Sequence, residues 1–262
     1  MACNTAVLPG ARLPLYAGGQ HIGYLTRENT ARLMAAEASV KLAADRVEMG
    51  AEMLPRLNGL AAAMGIATRA ENFDVRARAD GPSLGVLDRG ALPSFGVIGV
   101  GVHLNGLVRR ADGLHLWVAK RAADKKLDPG KLDHLVAGGV PAGYTPFEAL
   151  LKEAEEEAGL PEAMAAQARQ VAVFKYNMER PEGLRRDVVY AYDLELPEDF
   201  MPRPVDGEVE SFALWPLARV AEALARTDAF KFNVTLVLID LLLREGFYPG
   251  TAAETLRKAL HG

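Results

Sequence analysis

The sequence predicts an α+β protein: a mixed β-sheet covered on both faces by helices, an α/β/α sandwich, preceded by a small α+β N-terminal domain. Strand-like hydrophobic alternation dominates residues 95–136 and 171–214, a single charged helix separates these two stretches, and helical periodicity runs from residue 217 onward. Strands with helices both between and after them indicate a sheet with two covered faces. We predict two domains, at residues 1–93 and 94–262.

The predicted N-terminal domain contains short elements and no chemical motif. Two strands flank Gly18-Gly19, which is a hairpin signal. Pro55 and Gly59 weaken the second of the two helices that follow. The predicted elements are strands at 13–16, 21–25 and 73–77, helices at 28–37 and 50–64, and a linker at 84–95.

The predicted second domain begins with two strands around Asp112-Gly113, another hairpin signal. A third strand leads to a glycine-rich turn and the charged helix, and further strands and three helices follow it. The predicted strands are 95–108, 114–122, 132–136, 171–176, 186–194 and 208–214, and the closing helices are 217–225, 231–245 and 251–260.

Composition excludes several classes of function. The net charge of −4, from 30 basic and 34 acidic residues, argues against nonspecific nucleic-acid binding. Cys3 is the single cysteine, so an internal disulfide, a thiolate zinc site and an iron–sulfur site are all unsupported. The apolar run 234–243 is too short to span a bilayer and contains Asp240. No signal peptide is recognisable, and we therefore expect a cytoplasmic protein without a membrane partner.

The most informative stretch is GGVPAGYTPFEALLKEAEEEAGL at residues 138–160. Thr145 is a favourable helix N-cap, Pro146 suits the first helical position, and Glu148 completes a capping box. Gly159 ends the helix. A glycine-rich turn therefore leads directly into a short helix with defined ends.

Three glutamates share one face of this helix. Glu153, Glu156 and Glu157 are three or four residues apart, which places their Cβ atoms about 5–6 Å apart. Their repulsion is relieved when a cation lies among them, and Mg²⁺ takes carboxylates together with substrate phosphate oxygens. A solvated glutamate face is the plain alternative. The preceding glycine turn favours a metal–diphosphate site.

The same stretch resembles the Nudix box, whose pattern is Gly, five residues, Glu, seven residues, then Arg-Glu-apolar-any-Glu-Glu-any-Gly-apolar. Gly138 is the opening glycine, and residues 152–160 fill the second half. Two positions depart from the pattern. Tyr144 stands where the first glutamate is expected, and Lys152 replaces an arginine, which keeps the charge but loses the planar fork.

The resemblance extends to GVHLNG at 101–106, PGKLD at 129–133, YDLELP at 192–197 and DGEVESFALWPL at 206–217. These segments are similar to a Nudix subfamily that includes the hydrolase associated with thiamine pyrophosphokinase. The resemblance implies a Nudix-type sandwich and a Mg²⁺- or Mn²⁺-dependent pyrophosphohydrolase. Its small-molecule diphosphate substrate would be thiamine diphosphate or its oxidised derivatives, or a nucleoside diphosphate or triphosphate derivative, oxidised nucleotides included. The alternative is a catalytically weak diphosphate-binding or regulatory module, which Tyr144 and Lys152 motivate.

The resemblance also implies roles for single residues. Metal ligands would be Glu156, Glu157 and the Gly138 carbonyl, with Glu153 as a further ligand or as the base for the attacking water. Glu208 or Glu210 is a second candidate for base or ligand. All three helix glutamates are thus catalytic candidates.

Candidate phosphate-binding residues follow from charge. They are Lys125, Lys131, Arg185 and Arg186, for which the plain alternative is solvated loops and a solvated hairpin. We expect Tyr144 to pack and His103 to be a strand residue rather than a ligand. The sequence leaves open whether the protein forms a homodimer, because no sequence feature argues for one.

Overall fold

The computed structural model describes residues 3–261, and the side chain of His261 lies outside this description. The first part of the chain forms a four-stranded sheet of order β2-β1-β4-β3, a two-stranded sheet β5-β6, and short helices. Its elements are β1 (Leu13–Ala17), β2 (Gln20–Leu25), α1 (Arg27–Ala36), β3 (Lys41–Leu42), β4 (Val47–Met49), a 3₁₀ helix (Ala51–Arg56), α2 (Leu57–Ala63), β5 (Asn72–Val75), β6 (Gly85–Asp88) and α3 (Leu92–Phe95).

The predicted hairpin of β1 and β2 is present, whereas two other predictions need correction. The helix expected at 50–64 is divided at Arg56, next to Pro55, into a 3₁₀ helix and α2. The linker expected at 84–95 is wrong, because β6 pairs with β5 and α3 buries Leu92 and Phe95. The proline and the first glycine of that segment lie at element starts rather than in an open connection.

A single hydrophobic core unites this part of the chain, and its buried members all lie between Leu15 and Val97. It therefore extends slightly past the boundary predicted at residues 93 and 94. That boundary stays a prediction.

The second part of the chain forms a seven-stranded mixed sheet with helices on both faces, so the predicted fold class is confirmed. Its elements are β7 (Ile98–Arg110), β8 (Gly113–Arg121), β9 (Leu132–Asp133), β10 (Val136–Gly139), α4 (Pro146–Ala158), α5 (Glu162–Ala165), β11 (Arg169–Arg180), β12 (Gly183–Glu195), β13 (Val209–Pro216), α6 (Leu217–Arg226), α7 (Val234–Arg244) and α8 (Gly250–His261).

Strand order explains how the glycine turn enters the sheet. The main path is β11-β12-β7-β8-β13, with β7 parallel to β12 and antiparallel to β8. β7 and β8 pair only near their hairpin, at residues 107–110 and 113–116. Farther along, β10 pairs with β7 and β9 pairs with β8. The strand expected at 132–136 is thus divided, and its second half carries Gly138 into the sheet.

Alternation along β7 places successive side chains on opposite faces of the sheet. Val102 and Leu104 share a core with Leu150 and Ala154 of α4. Leu107 belongs instead to the core that contains α6 and α7. Both sheet faces are therefore buried against helices.

A half-buried ion pair joins the last turn of α7 to the sheet. Arg244 donates to the carboxylate of Asp193 on β12 with nitrogen–oxygen distances of 2.6 and 3.2 Å. The Asn105 amide on β7 donates to the same carboxylate at 2.7 Å. One acidic group thus joins two strands to the C-terminal end of α7.

Candidate functional site

The predicted capping box fixes the start of α4. The Thr145 hydroxyl accepts from the Glu148 backbone N–H at 3.2 Å, and the Glu148 carboxylate accepts from the Thr145 N–H at 2.8 Å. Gly159 ends the helix in the left-handed conformation at φ 60°, which glycine adopts without strain. The buried residues Leu150 and Ala154 then determine which face of the helix meets β10.

Glu153 and Glu157 of α4 lie against β10. Glu157 is only 5% exposed, and its carboxylate accepts a hydrogen bond from the Ala137 backbone N–H at 2.8 Å. The Glu153 carboxyl group covers the α-carbon of Gly138, where an added Cβ would lie 2.5 Å from the Glu153 Cδ. A glycine at position 138 is therefore needed for Glu153 to occupy this place.

Burial makes both carboxyl groups unusually basic. Desolvation raises the pKa of Glu157 to about 8, and the nearby charge of Glu153 acts in the same direction. Desolvation also raises the pKa of Glu153 to about 7, with repulsion from Glu156 and Glu208 adding to it. A positive charge bound beside either carboxyl group would therefore stabilise its ionised form.

Glu156 and Lys152 occupy the exposed side of the same helix. Glu156 forms an ion pair with Lys152, whose Nζ also lies 3.7 Å from a Glu153 oxygen. The lysine thus contacts two of the three glutamates, although it lacks the fork of the arginine expected there.

A cavity of about 540 Å³ opens beside these residues and is lined by Gly138, Glu153 and Glu156. The other charged side chains of its wall are Arg69, Glu71, Arg89, Arg121, Asp124, Lys125, Lys126, Lys152, Asp206, Glu208 and Lys231. Arg69, Glu71 and Arg89 come from the N-terminal part of the chain. No sequence motif indicated this contribution, because it depends on how the two parts pack together.

Two sequence candidates meet in this wall. Lys125 forms an ion pair with Glu208. Burial acts to raise the pKa of Glu208, but the hydrogen bond and charge of Lys125 outweigh it and lower that pKa. Glu210, the other candidate base, instead pairs with Lys120 at 2.7 Å and does not line the cavity.

The remaining candidate phosphate-binding residues lie outside this cavity. Lys131 pairs with Asp228 at 3.1 Å, Arg185 pairs with Glu182 at 3.1 Å and with Asp187 at 3.3 Å, and Arg186 lies over the Tyr24 ring at 5.2 Å. Their binding roles stay predictions.

Tyr144 does not pack as expected. Its side chain is 42% exposed, and it borders a shallow pocket formed with Asp74 and Arg76 rather than the cavity of Glu153. The position where a glutamate was expected therefore lies outside the cavity that Glu153 and Glu156 line.

A narrower cavity of about 90 Å³ adjoins the larger one and shares Gly138, Gly139 and Lys231 with it. Phe73 from β5 contributes to its wall, and an added Cβ on Gly139 would lie 2.4 Å from that ring. The close contact between ring and strand again requires glycine.

The donor set of α4 and β10 fits a hard divalent cation, since such ions prefer carboxylate and carbonyl oxygens. A second cluster, His103, Asp133 and His134, places its donor atoms within 4.8 Å of one another. The Asp133 carboxylate already accepts from Arg121 at 2.8 Å and Lys231 at 3.1 Å, and two adjacent cations oppose a third positive charge. His103 shares a hydrogen bond of 2.8 Å with His134, in keeping with its expected structural role.

Comparisons with known proteins identify a family. The NUDIX domain family model matches residues 101–236. Nudix hydrolase 20, chloroplastic, of Arabidopsis thaliana is 45% identical over 203 residues, which are 78% of this chain and 54% of that protein. Nudix hydrolase 24, chloroplastic, of the same plant is 45% identical over 178 residues, which are 68% of this chain and 49% of that protein. The chain thus spans about half the length of these relatives.

Among solved structures, DR0079 from Deinococcus radiodurans is 22% identical, with a TM-score of 0.48 over 73% of this chain and 100% of that one.

The expected cytoplasmic location is wrong by the same comparisons, because the two plant relatives are named chloroplastic. The sequence argument rested on a missing signal, which is weak ground for a location. In the part of the chain that the structure describes, no helix is both long and apolar enough to cross a membrane.

The raised pKa values predict a pH-dependent stability of the metal-free protein. The folded state holds the Glu157 proton up to about pH 8, whereas the ordinary pKa is 4.5, so stability should fall as pH rises between these values. Thermal melting in a chelator from pH 5 to 8 measures the decline. Glu157→Gln keeps the acceptor for the Ala137 N–H but cannot ionise, so its melting temperature should fall less.

Glu155→Gln is the matched control, because Glu155 is exposed on the same helix. Its melting temperature should follow that of the unaltered protein. Equal pH dependence in the Glu157→Gln variant and the unaltered protein would contradict the burial argument.

Proposed function

Because the chain belongs to the NUDIX domain family, we propose that it is a divalent-metal-dependent hydrolase of a diphosphate linked to another moiety. The observation that carries the proposal is the place of two carboxyl groups of α4 against β10. Glu157 is buried and accepts from the Ala137 N–H, and the partly buried Glu153 covers Gly138 at the edge of a cavity lined by several cationic side chains. Glu153, Glu156, Glu157 and the Gly138 carbonyl would hold the metal, which we take to be Mg²⁺ or Mn²⁺.

The wall of the cavity suits the substrate's negative charge. Water attacks a diphosphate poorly because the phosphates are anionic; a bound divalent ion supplies positive charge that offsets this and makes water more acidic. Arg89 and Lys125, which line the same cavity, would contact phosphate oxygens. If it does not ligate the metal, Glu153 would instead be the base for the attacking water.

The narrower cavity would receive the organic half of the substrate. Gly99 and Gly101 line it without side chains, and Phe73 adds an aromatic ring. The Asp187 carboxylate at its border accepts from Tyr176 at 2.6 Å and could bind a nitrogen heterocycle. These features, with the subfamily resemblance, support thiamine diphosphate or its oxidised derivatives. Nucleoside diphosphate and triphosphate derivatives, including oxidised nucleotides, are the second choice.

A catalytically weak binding or regulatory module is the competing proposal, motivated by Tyr144 and Lys152. The contacts of Lys152 with Glu153 and Glu156 weaken it, because the lysine still meets the carboxylates an arginine would orient. Binding of diphosphates without any metal-dependent product would favour the module.

Glu157→Gln tests the catalytic proposal. We expect at least about a 100-fold loss of metal-dependent turnover with little change in fold, since the variant keeps the hydrogen bond to Ala137. Phosphate or monophosphate release measures the rate, and Glu155→Gln should stay at the unaltered rate. A Glu157→Gln variant that turns over normally would refute the assignment.

A substrate panel tests the organic half. Thiamine diphosphate and its oxidised derivatives, nucleotide sugars, and nucleoside diphosphates and triphosphates with their oxidised forms would be compared with and without Mg²⁺. We expect Mg²⁺-dependent cleavage with the highest kcat/KM for a thiamine derivative. Higher kcat/KM for a nucleotide would replace that substrate class and leave the metal site unaffected.

A further inference from the structure

Two buried cations share one buried carboxylate at the cavity wall. Asp133, 4% exposed, accepts on one oxygen from Arg121 at 2.8 Å and from Lys231 at 3.1 Å. Its other oxygen accepts from the His134 backbone N–H at 3.0 Å. The carboxylate is thus fully used, and it offers one negative charge to two positive ones.

Arg121 is satisfied by these and further bonds. Its Nη2 donates to the Leu127 carbonyl at 2.9 Å and its Nε to the Asp128 carbonyl at 3.2 Å. The guanidinium therefore spans Asp133 and the preceding loop. Its role is that of a structural clamp.

Lys231 is bonded far less completely. Within residues 3–261 its Nζ donates one hydrogen bond, to Asp133, although an ammonium group carries three donors. The residue is only 7% exposed and borders both cavities beside Gly138. Two donors of a buried cation are consequently left for a ligand.

No neighbouring group supplies the missing negative charge. Burial lowers the pKa of both His103 and His134, so these rings are neutral near pH 7. Glu157, the other buried acid nearby, is a proposed metal ligand. A buried charge without a partner is costly, so the site favours an anion.

Three other lysines of the region already have partners, and Lys126, which also lines the larger cavity, is exposed rather than buried. Lys125 pairs with Glu208, Lys152 with Glu156, and Lys131 with Asp228. Lys231 is also held in place by its backbone, whose N–H donates to the Leu132 carbonyl at 2.9 Å. Position, charge and unused donors coincide at this residue.

We infer that Lys231 is an anion-binding residue whose ammonium group donates to a phosphate oxygen of the diphosphate, while Asp133 and Arg121 position it. The identity of the anion rests on the proposed function. The ammonium lies where the two cavities meet, so it would contact the phosphate nearest the organic group.

Replacing Lys231 should affect the stability of the protein and its affinity for diphosphate differently. Removing the charge of Lys231 leaves Arg121 and Asp133 as a balanced pair, and an apolar side chain of similar volume is often tolerated in place of a buried ion. Lys231→Met should therefore melt at the same or a higher temperature than the unaltered protein, yet bind diphosphate more weakly. A purely structural lysine would instead lower the melting temperature when replaced.

The test measures binding of methylenediphosphonate, a diphosphate analogue with no cleavable bridge, by calorimetry in the presence of Mg²⁺. Lys231→Met and Lys231→Gln should each weaken binding by at least about 10-fold, as expected for a lost charge-assisted hydrogen bond. Lys41→Met is the matched control and should bind normally, since Lys41 is exposed on β3 and lines neither cavity.

Unaltered affinity in a folded Lys231 variant would overturn the inference. It would also be overturned if neither Lys231 variant folds, or if the unaltered protein does not bind the analogue. Because the assay needs no turnover, it is independent of the hydrolase proposal. Turnover that stays normal in Glu157→Gln would refute the hydrolase site alone.

Discussion

The removal of two carboxyl groups from water against a glycine strand is the constraint on which the site depends. Glu153 and Glu157 are desolvated by α4 and β10, and their pKa values rise to about 7 and 8. The cap at Thr145 and the apolar stripe of the helix fix the rotation of α4, and Gly138 gives room for one of the carboxyl groups. A divalent cation bound beside the two carboxyl groups would stabilise their ionised forms and so offset the cost of desolvation.

Acidic and basic side chains line the same cavity. Glutamates of α4 are joined there by cations from three separate parts of the chain, Arg89, Lys125 and Lys231. A metal beside the glutamates and phosphates beside the cations would each meet opposite charge. The N-terminal part supplies Arg89 and Phe73, so it helps to form the site and covers the narrower cavity.

Local patterns made α4, its two ends and the presence of most strands of the large sheet predictable, because capping and periodicity depend on near neighbours. The prediction of a linker at 84–95 is wrong because glycine and proline also occur at the starts of strands and helices, as Gly85 and Pro93 do here. No sequence pattern identified Lys231 as a binding residue, because its role depends on the contact with Asp133, almost a hundred residues away. The ion pairs of Arg185 with Glu182 and Asp187 likewise could not be predicted from the sequence. The domain boundary and the homodimer stay predictions.

The most direct test of the central claim is the anomalous scattering of crystals soaked in Mn²⁺. The account predicts a peak in contact with the carboxylates of Glu153 and Glu157 and near the Gly138 carbonyl. A peak at His103, Asp133 and His134 instead, or no peak beside α4 at saturating Mn²⁺, would contradict it.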